Sequence, residues 1–392
     1  MYAVELKCIS CSETYPLIPI YECEKCQGIL EVSYDYEKLK AKMLSGSLKL
    51  PNDLLPIKNE SAISLGEGNT PLLKSEKLAN SLGIRSLYFK CEFANPTGSF
   101  KDRPVSIGIA KAVEFGYKKV IVASSGNGAA AVAAYGARAG LDVTILVPKS
   151  TPIEKVTQAL QYGAKVIRVE GPYSQCFSQA KKASEESGMY NITTTFLNPY
   201  TVEGDKTISY ELFKAMVEIP DAIFVPIGAG PLLVGIGKGY KEIQKLYGLD
   251  EVPRMVGVQA SGCNPIARAF NEGRDSIISE SNPSTIAGGI ADGLNGYAKD
   301  GDYTLATINK TNGFALDVSD EEIMQAQKIL AHQEGIFVEP SAAAGVAGLM
   351  KSIKTEQLNK HSTIVVILTG HGLKDLKNVS TNVDTVPAEE ID

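Results

Sequence analysis

Seven short apolar runs, rich in β-branched residues, constrain this chain more than any other feature: 87–89, 120–123, 143–147, 166–169, 222–225, 255–258 and 364–368. Each is almost continuously apolar rather than alternating, the pattern of a strand covered on both faces. Longer helical stretches lie between them, at 128–139, 152–162, 173–187 and 320–334. Strand alternating with helix predicts an α/β fold with mostly parallel sheets. With 392 residues and no internal repeat or low-complexity tract, the chain is long enough for two or three domains with sizeable cores.

In such folds ligands sit beyond the carboxyl ends of the strands, against helix N-termini. Three Gly- or Ser-rich segments follow directly on apolar runs: Ser124-Ser125-Gly126-Asn127-Gly128, Gly228-Ala229-Gly230 and Thr369-Gly370-His371-Gly372. One such segment is no more than a tight turn, whereas three predict a shared cleft. The most informative segment is Asn95-Pro96-Thr97-Gly98-Ser99-Phe100-Lys101-Asp102-Arg103-Pro104. Pro96 and Gly98 predict a turn, Ser99 is placed to cap the helix that follows, and Lys101 falls in the first turn of that helix. The positive end of the helix dipole disfavours an ammonium there, and burial lowers a lysine pKa further. Such an amine is a nucleophile suited to Schiff-base formation. A lysine at a helix start is by itself more often a solvated charge, so the neighbouring motifs decide.

The formal net charge of −6 and pI of about 5.4 argue against nucleic acid as a partner, which needs a basic face. No apolar run approaches the roughly 20 residues that span a bilayer, so no membrane partner is expected. The N-terminus shows no basic region followed by an apolar stretch, which predicts a cytoplasmic location. Four of the seven cysteines lie in the first 26 residues, as Cys8-x2-Cys11 and Cys23-x2-Cys26. Two such knuckles read as a zinc ribbon with four thiolate ligands, a closed structural site, and Gly28 suits the knuckle turn. Two disulfides are the poorer reading in a reducing cytosol. Glu5, Glu13, Glu22, Glu24 and Glu31 make this module acidic, unlike a ribbon that binds nucleic acid. Cys91, Cys176 and Cys263 read as small core residues. A Lys-rich amphipathic stretch from Tyr36 to Leu48 then leads to a linker ending near Pro56.

Ser99-Phe100-Lys101-Asp102-Arg103 resembles the cofactor-lysine signature of fold-type II pyridoxal 5′-phosphate (PLP) enzymes, the tryptophan synthase β family. With Asn95-Pro96-Thr97-Gly98 before it, the segment is similar to the version in threonine synthases. Gly66-Glu67-Gly68-Asn69-Thr70-Pro71-Leu72 is similar to the family's opening motif, Ser124-Ser125-Gly126-Asn127 resembles its Ser/Thr-rich loop, and Thr369-Gly370-His371-Gly372-Leu373-Lys374-Asp375 resembles the C-terminal motif of threonine synthases. The resemblance covers nearly the whole chain. It implies two doubly wound α/β domains plus an N-terminal zinc-ribbon-like module: 1–36 the module, 37–103 the first part of a large PLP domain, 104–200 a small mobile domain and 201–392 the rest of the large one. It implies that Lys101 carries PLP as a Schiff base, beside Phe100, and moves protons at the substrate's α and β carbons. Asn127 would hydrogen-bond the cofactor's phenolic oxygen, and Gly228, Ala229, Gly230 and Leu232 would wrap its phosphate. Thr369 would face the pyridine nitrogen, and Ser124, Ser125, Gly126 and Gly128 would receive the substrate's α-carboxylate. Lys206 or Arg103 would meet a substrate phosphate. The reaction implied is β,γ-replacement, from O-phosphohomoserine and water to threonine and phosphate, in a homodimer. Archaeal and some bacterial threonine synthases carry a similar ribbon, which supports a structural role for bound zinc.

The match also departs from that family. Threonine synthases usually have Thr where this chain has Gly128. They usually carry Ser two residues before, and Arg two residues after, the Asn-Pro pair; here Asn198-Pro199 is flanked by Phe196 and Thr201. Those groups help to bind the phosphate of O-phosphohomoserine, and an anionic leaving group needs charge-assisted donors. Pro231 removes one N–H from the cofactor-phosphate loop, which reads more like that of the dehydratases. A second reading is therefore β-replacement or elimination on another substrate, as by a cysteate-synthase-like enzyme on O-phosphoserine or a serine/threonine dehydratase. A third is a non-catalytic ribbon scaffold, against which the intact Lys101, Asn127 and Thr369 speak.

Overall fold

A computed structural model describes residues 1–377 of the chain. Each of the seven apolar runs lies in a strand. Strands β1 (Ala3–Cys8), β2 (Thr14–Tyr15) and β3 (Leu30–Tyr34) form a small antiparallel sheet in the order β2-β1-β3. Strands β4 (Leu72–Lys74) and β5 (Ser86–Lys90) enter a larger sheet, and β6 (Lys119–Ala123), β7 (Asp142–Pro148), β8 (Lys165–Val169) and β9 (Tyr190–Asn191) form a second one, in the order β8-β7-β6-β9 and wholly parallel. The chain then returns to the larger sheet with β10 (Ala222–Pro226), β11 (Arg254–Ala260), β12 (Phe314–Val318) and β13 (Thr363–Ile367). Its order is β12-β11-β10-β13-β5-β4, with β4 alone antiparallel.

Most of the apolar runs have the burial they predict; the exception is 166–169, where β8 is an edge strand with Ile167 and Arg168 exposed. Every residue of β10 and β13 is buried. Because side chains alternate along a strand, Ile223, Val225, Val365 and Ile367 pack on one face, with Leu233, Ile236 and Tyr240 of the helix Pro231–Tyr247. Phe224, Ile364 and Val366 pack on the other, with Ala343, Val346 and Leu349 of the helix Pro340–Lys354. Each fully buried aliphatic side chain contributes roughly 1.5–3 kcal/mol. These two layers hold the sheet rigid, so the loops at its strand ends are fixed in position.

The expected linker before Pro56 is instead part of the core. The helix Tyr36–Leu44 is capped by Asp35, whose side chain accepts from the Lys38 amide at 3.0 Å. Leu39 and Leu54 are fully buried, and the Tyr36 hydroxyl donates to Glu242 at 3.1 Å. The N-terminal module packs on elements of both larger sheets. The Tyr34 hydroxyl donates to Glu203 at 2.7 Å, and the Asn191 amide of β9 donates to the Tyr21 hydroxyl at 2.7 Å. Glu22 accepts from both Lys181, on the helix Tyr173–Glu186, and Lys299, on the helix Ala298–Lys310. Among the described residues no helix is long and apolar enough to cross a membrane.

Candidate active site

Lys101 immediately precedes the helix Asp102–Glu114, one residue short of the first-turn position expected for it. Ser99 does not cap that helix. Its backbone is committed to a bridge with Gly370, flanked by a bond from the Phe100 amide to the Thr369 carbonyl at 2.9 Å. Its hydroxyl is buried without a hydrogen bond among the described residues. The turn is fastened by Asp102, which accepts from the Thr97 amide at 2.7 Å and from the Thr97 hydroxyl.

The Lys101 Nζ donates to the Thr194 hydroxyl at 2.8 Å and stands 4.7 Å from the centre of the Phe100 ring. Burial pushes its pKa down, against the pull of the Asp205 and Asp292 carboxyls. Those acids do not fully offset the burial because they are themselves desolvated. Burial pushes Asp205 up to about 8 and also raises Asp292. The network therefore favours the neutral amine, the form that attacks a carbonyl.

A cavity of about 560 Å³ opens above this lysine, where the ends of β6, β10 and β13 meet. Of the residues singled out in the sequence, Phe100, Lys101, Ser124, Ser125, Gly126, Asn127, Gly128, Gly228, Ala229, Gly230, Leu232 and Thr369 all line it. At the head of the helix Pro231–Tyr247, Gly230 holds φ at +98°, a conformation L side chains rarely adopt. The backbone N–H groups of Gly228, Ala229, Gly230, Leu232 and Leu233 make no hydrogen bond among the described residues. Amides collected at a helix N-terminus form an anion site. The amides of Ser125, Asn127 and Gly128, at the start of the helix Asn127–Ala139, likewise have no acceptor among the described residues. A buried amine, a turn of unengaged amides, and a side-chain amide with a hydroxyl fit a phosphorylated aldehyde with a polar ring.

The departures noted in the sequence have physical reasons. A Cβ on Gly128 would lie 2.9 Å from the Ser124 hydroxyl and 3.4 Å from that of Thr194, so two other hydroxyls fill the space a Thr would take. Phe196 is buried edge-on against Tyr303 at 5.1 Å, and Thr201 is buried with its hydroxyl on the Asn198 carbonyl at 2.9 Å. Neither lines the cavity. Lys206 and Arg103, expected at a substrate phosphate, do not line it either. Lys206 is fully buried between Glu203 at 2.6 Å and Glu242 at 3.0 Å. Arg103 is locked by Glu92 and Glu211 through bonds of 2.6–2.9 Å.

The sequence reading missed Thr194, Glu339, Asp292 and Lys155, and gave no role to Lys374 of the C-terminal motif; all five line the cavity. Thr194 follows β9, a strand of two residues too short to register as an apolar run. Glu339 stands before Pro340 at a helix start, a signal that was legible. It accepts from the Asn127 side-chain amide at 2.9 and 3.2 Å. His371 lies outside the cavity, its Nδ1 accepting from the Leu373 amide at 3.1 Å.

The Sγ atoms of Cys8, Cys11, Cys23 and Cys26 lie within 4.8 Å of one another. The closest approaches, 3.4 to 3.5 Å, exceed a disulfide bond of about 2.05 Å. A Cβ on Gly28 would stand 2.8 Å from the Cys8 sulfur, so glycine keeps the cluster clear. Four converging thiols fit a tetrahedral zinc ion. Cys91, Cys176 and Cys263 are buried, as expected.

A family model described as pyridoxal-phosphate dependent enzyme matches residues 63–370. The chain is 42% identical over 380 residues to a threonine synthase of Methanocaldococcus jannaschii, covering 94% of this chain and 92% of that protein. It is 38% identical over 345 residues to a threonine synthase of Halalkalibacterium halodurans, covering 88% and 93%. Among solved structures, the processed form of threonine deaminase isoform 2 from Solanum lycopersicum is similar with a TM-score of 0.66 and 27% identity, covering 77% of this chain and 79% of that one. Maize serine racemase is similar with a TM-score of 0.67 and 29% identity, covering 77% and 88%.

Proposed function

The chain belongs to the pyridoxal-phosphate dependent enzyme family and, within it, to the threonine synthases, and on that premise we propose that it converts O-phosphohomoserine and water to threonine and phosphate. One observation carries the reading: Lys101, the amide turn at 228–232 and the amides at 125–128 all open into one cavity.

Lys101, Phe100, Asn127, Gly228, Ala229, Gly230, Leu232 and Thr369 would hold PLP. When bound, the cofactor supplies an electron-withdrawing ring that stabilises negative charge developing beside the substrate's amine. The protein's residues do the rest. Ser124, Ser125 and the amides of Gly126 and Gly128 take the substrate's α-carboxylate. Lys101, its pKa lowered by burial, removes the proton at the α carbon and then one at the β carbon. The Thr194 hydroxyl, 2.8 Å from Nζ, aims the amine. Phosphate leaves the γ carbon, which takes one of the two protons back from Lys101 to become a methyl group; water then adds its hydroxyl at the β carbon, its other proton going to the released phosphate, and Lys101 returns the second proton to the α carbon. Thr369 offers a neutral hydroxyl where a carboxylate would hold a ring nitrogen protonated.

The experiment is to load the protein with PLP and assay phosphate release from O-phosphohomoserine and from O-phosphoserine. Threonine and phosphate in equal amounts, from the first substrate alone, is the expected result. Phosphate from O-phosphoserine alone, or 2-oxo acid from threonine with no phosphate from either, would overturn the assignment. The sealed positions of Phe196 and Thr201 favour those alternatives over any other.

The same proposal assigns Cys8, Cys11, Cys23 and Cys26 to one structural zinc ion in a ribbon of residues 1–36. It keeps a smaller domain of 104–200 around the four-stranded sheet. It keeps a larger one of 37–103 and 201–392 around the six-stranded sheet, with 378–392 outside the described residues. It also takes the enzyme as a cytoplasmic homodimer with no nucleic-acid partner, which the net charge of −6 supports. Replacing Cys8 and Cys23 together by serine should lower the zinc content and drop the melting temperature on the order of 5 °C or more. The chemical step should change little. Metal analysis of the purified variant checks this, and unchanged zinc would count against the ribbon.

A further inference from the structure

The proposed substrate carries two anionic ends, a carboxylate and a phosphate. The amides at 125–128 suit the first, but the positions from which threonine synthases usually hold the second are here buried side chains, Phe196 and Thr201. Arg103 and Lys206 are sealed in ion pairs elsewhere. A phosphate dianion entering a low-dielectric cleft still needs cationic donors. The cations lining the cavity are Lys101, Lys155 and Lys374, with no Arg or His among the described lining residues. Lys101 is committed to the cofactor.

The other two come from different sheets and meet across the cavity. Lys155 lies on the helix Glu154–Gln161, which follows β7, and Lys374 lies in the turn Gly372–Lys374, which follows β13. Lys155 pairs with Asp375 at 3.2 Å, and Lys374 donates to the Gln158 side-chain oxygen at 2.8 Å. Two neighbouring residues after β13 thus engage two residues one turn apart on the helix. Lys374 is hydrogen-bonded, among the described residues, only to a neutral amide, and it keeps two further N–H donors. Lys155 reaches back to within 3.1 Å of where a Cβ on Gly288 would stand, so its amine points along the cavity wall rather than into bulk solvent.

We propose that Lys155 and Lys374 together receive the phosphate of the substrate, one ammonium from each side of the cleft. The inference rests on the O-phosphohomoserine reading above and names the groups that would distinguish that substrate from unphosphorylated amino acids. A dianion bridging both amines exchanges the neutral Gln158 contact of Lys374 for a charge-assisted bond and shares Lys155 with Asp375, and so ties the two sides together when substrate is present.

The test uses the PLP-loaded enzyme and inorganic phosphate, the leaving group itself, as probe. Phosphate binding is measured by calorimetry on the parent protein, Lys155→Gln, Lys374→Gln and the charge-preserving Lys374→Arg. The cofactor absorbance change on adding threonine reports whether the carboxylate site is intact. Each glutamine variant should lose about 10- to 100-fold in phosphate affinity, with KM for O-phosphohomoserine raised more than kcat is lowered. Lys374→Arg should recover most of the affinity, and the threonine response should persist throughout. Lys155 is partly exposed, so Lys155→Gln tests the idea even if a Lys374 variant does not fold. Unchanged phosphate affinity in Lys155→Gln and Lys374→Gln would refute the inference while leaving the substrate assignment standing. A parent enzyme that neither binds phosphate nor releases it from O-phosphohomoserine would refute the substrate assignment, and this inference with it.

Discussion

Replacing Lys101 by alanine should abolish the visible absorption band of lysine-held cofactor and lower threonine formation by at least about 10³-fold, since both covalent retention and proton transfer are lost. The site around it should remain folded. The Thr194 hydroxyl loses only one partner, and the amides at 228–233 are untouched. Dialysed variant protein should therefore still take up PLP when the cofactor is supplied in excess, bound by its phosphate alone. An absorption spectrum compared with the parent protein's, before and after dialysis, checks both statements. A variant that keeps the parent band would remove Lys101 from the site.

Arg103→Met is expected to be the most destabilising single change near the site, by roughly 3–5 kcal/mol, because it leaves the buried Glu92 carboxylate without its cation and Glu211 with Lys90 alone. Glu92 is fully buried and takes both Arg103 Nε at 2.7 Å and Nη2 at 2.8 Å. Glu211 takes Nη1 at 2.6 Å and Nη2 at 2.9 Å, and Lys90 adds a further bond of 2.6 Å. Glu211 also accepts from the Asn69 amide at 2.9 Å, so the cluster joins the opening Gly66–Leu72 motif to the lysine turn. Burial alone would raise the Glu211 carboxyl, but Arg103 and Lys90 hold it down to about 2. Its unfolded pKa is near 4.3. A depressed carboxylate contributes its stability above the unfolded value and loses it as pH falls through the folded one. The parent protein should thus lose on the order of 3 kcal/mol between about pH 4.5 and pH 2 from this group. Arg103→Met should lack most of that slope. Urea unfolding at neutral and acid pH measures both effects, and a variant as stable as the parent at pH 7 would show that the cluster relaxes without its arginine.

How much of this was legible depended on whether the controlling contact was local. Strands such as β10 and β13 could be read because a strand buried on both faces has no polar positions to disguise it; the edge strand β8 was read from its β-branched residues although Arg168 interrupts it. Strand β12, which carries only one β-branched residue beside Asp317, was not read, and the short β4 and β9 carry too few residues for any pattern. The glycine turn at 228–230 and the helix start at 127 could be read because backbone geometry demands those residues in place. Lys206 was misread because what neutralises it includes Glu242, remote in sequence. Ser99 was misread as a cap because its backbone is claimed by Gly370 from the far end of the chain. Thr194 and Lys155 reach the cavity only through the packing of one sheet against another, which composition and spacing do not encode, whereas Lys374 stood in the C-terminal motif without being given a role.

The carboxylate of Glu22 has a consequence for how the cleft can open. It holds Lys181 from beside the four-stranded sheet and Lys299 from beside the six-stranded one, yet it lines no part of the active cavity. Any widening of the gap between Lys155 and Asp375 that leaves Glu22 engaged must therefore be a rotation rather than a parting. In such a rotation the N-terminal module would be the fulcrum, since Glu22 touches helices beside both sheets.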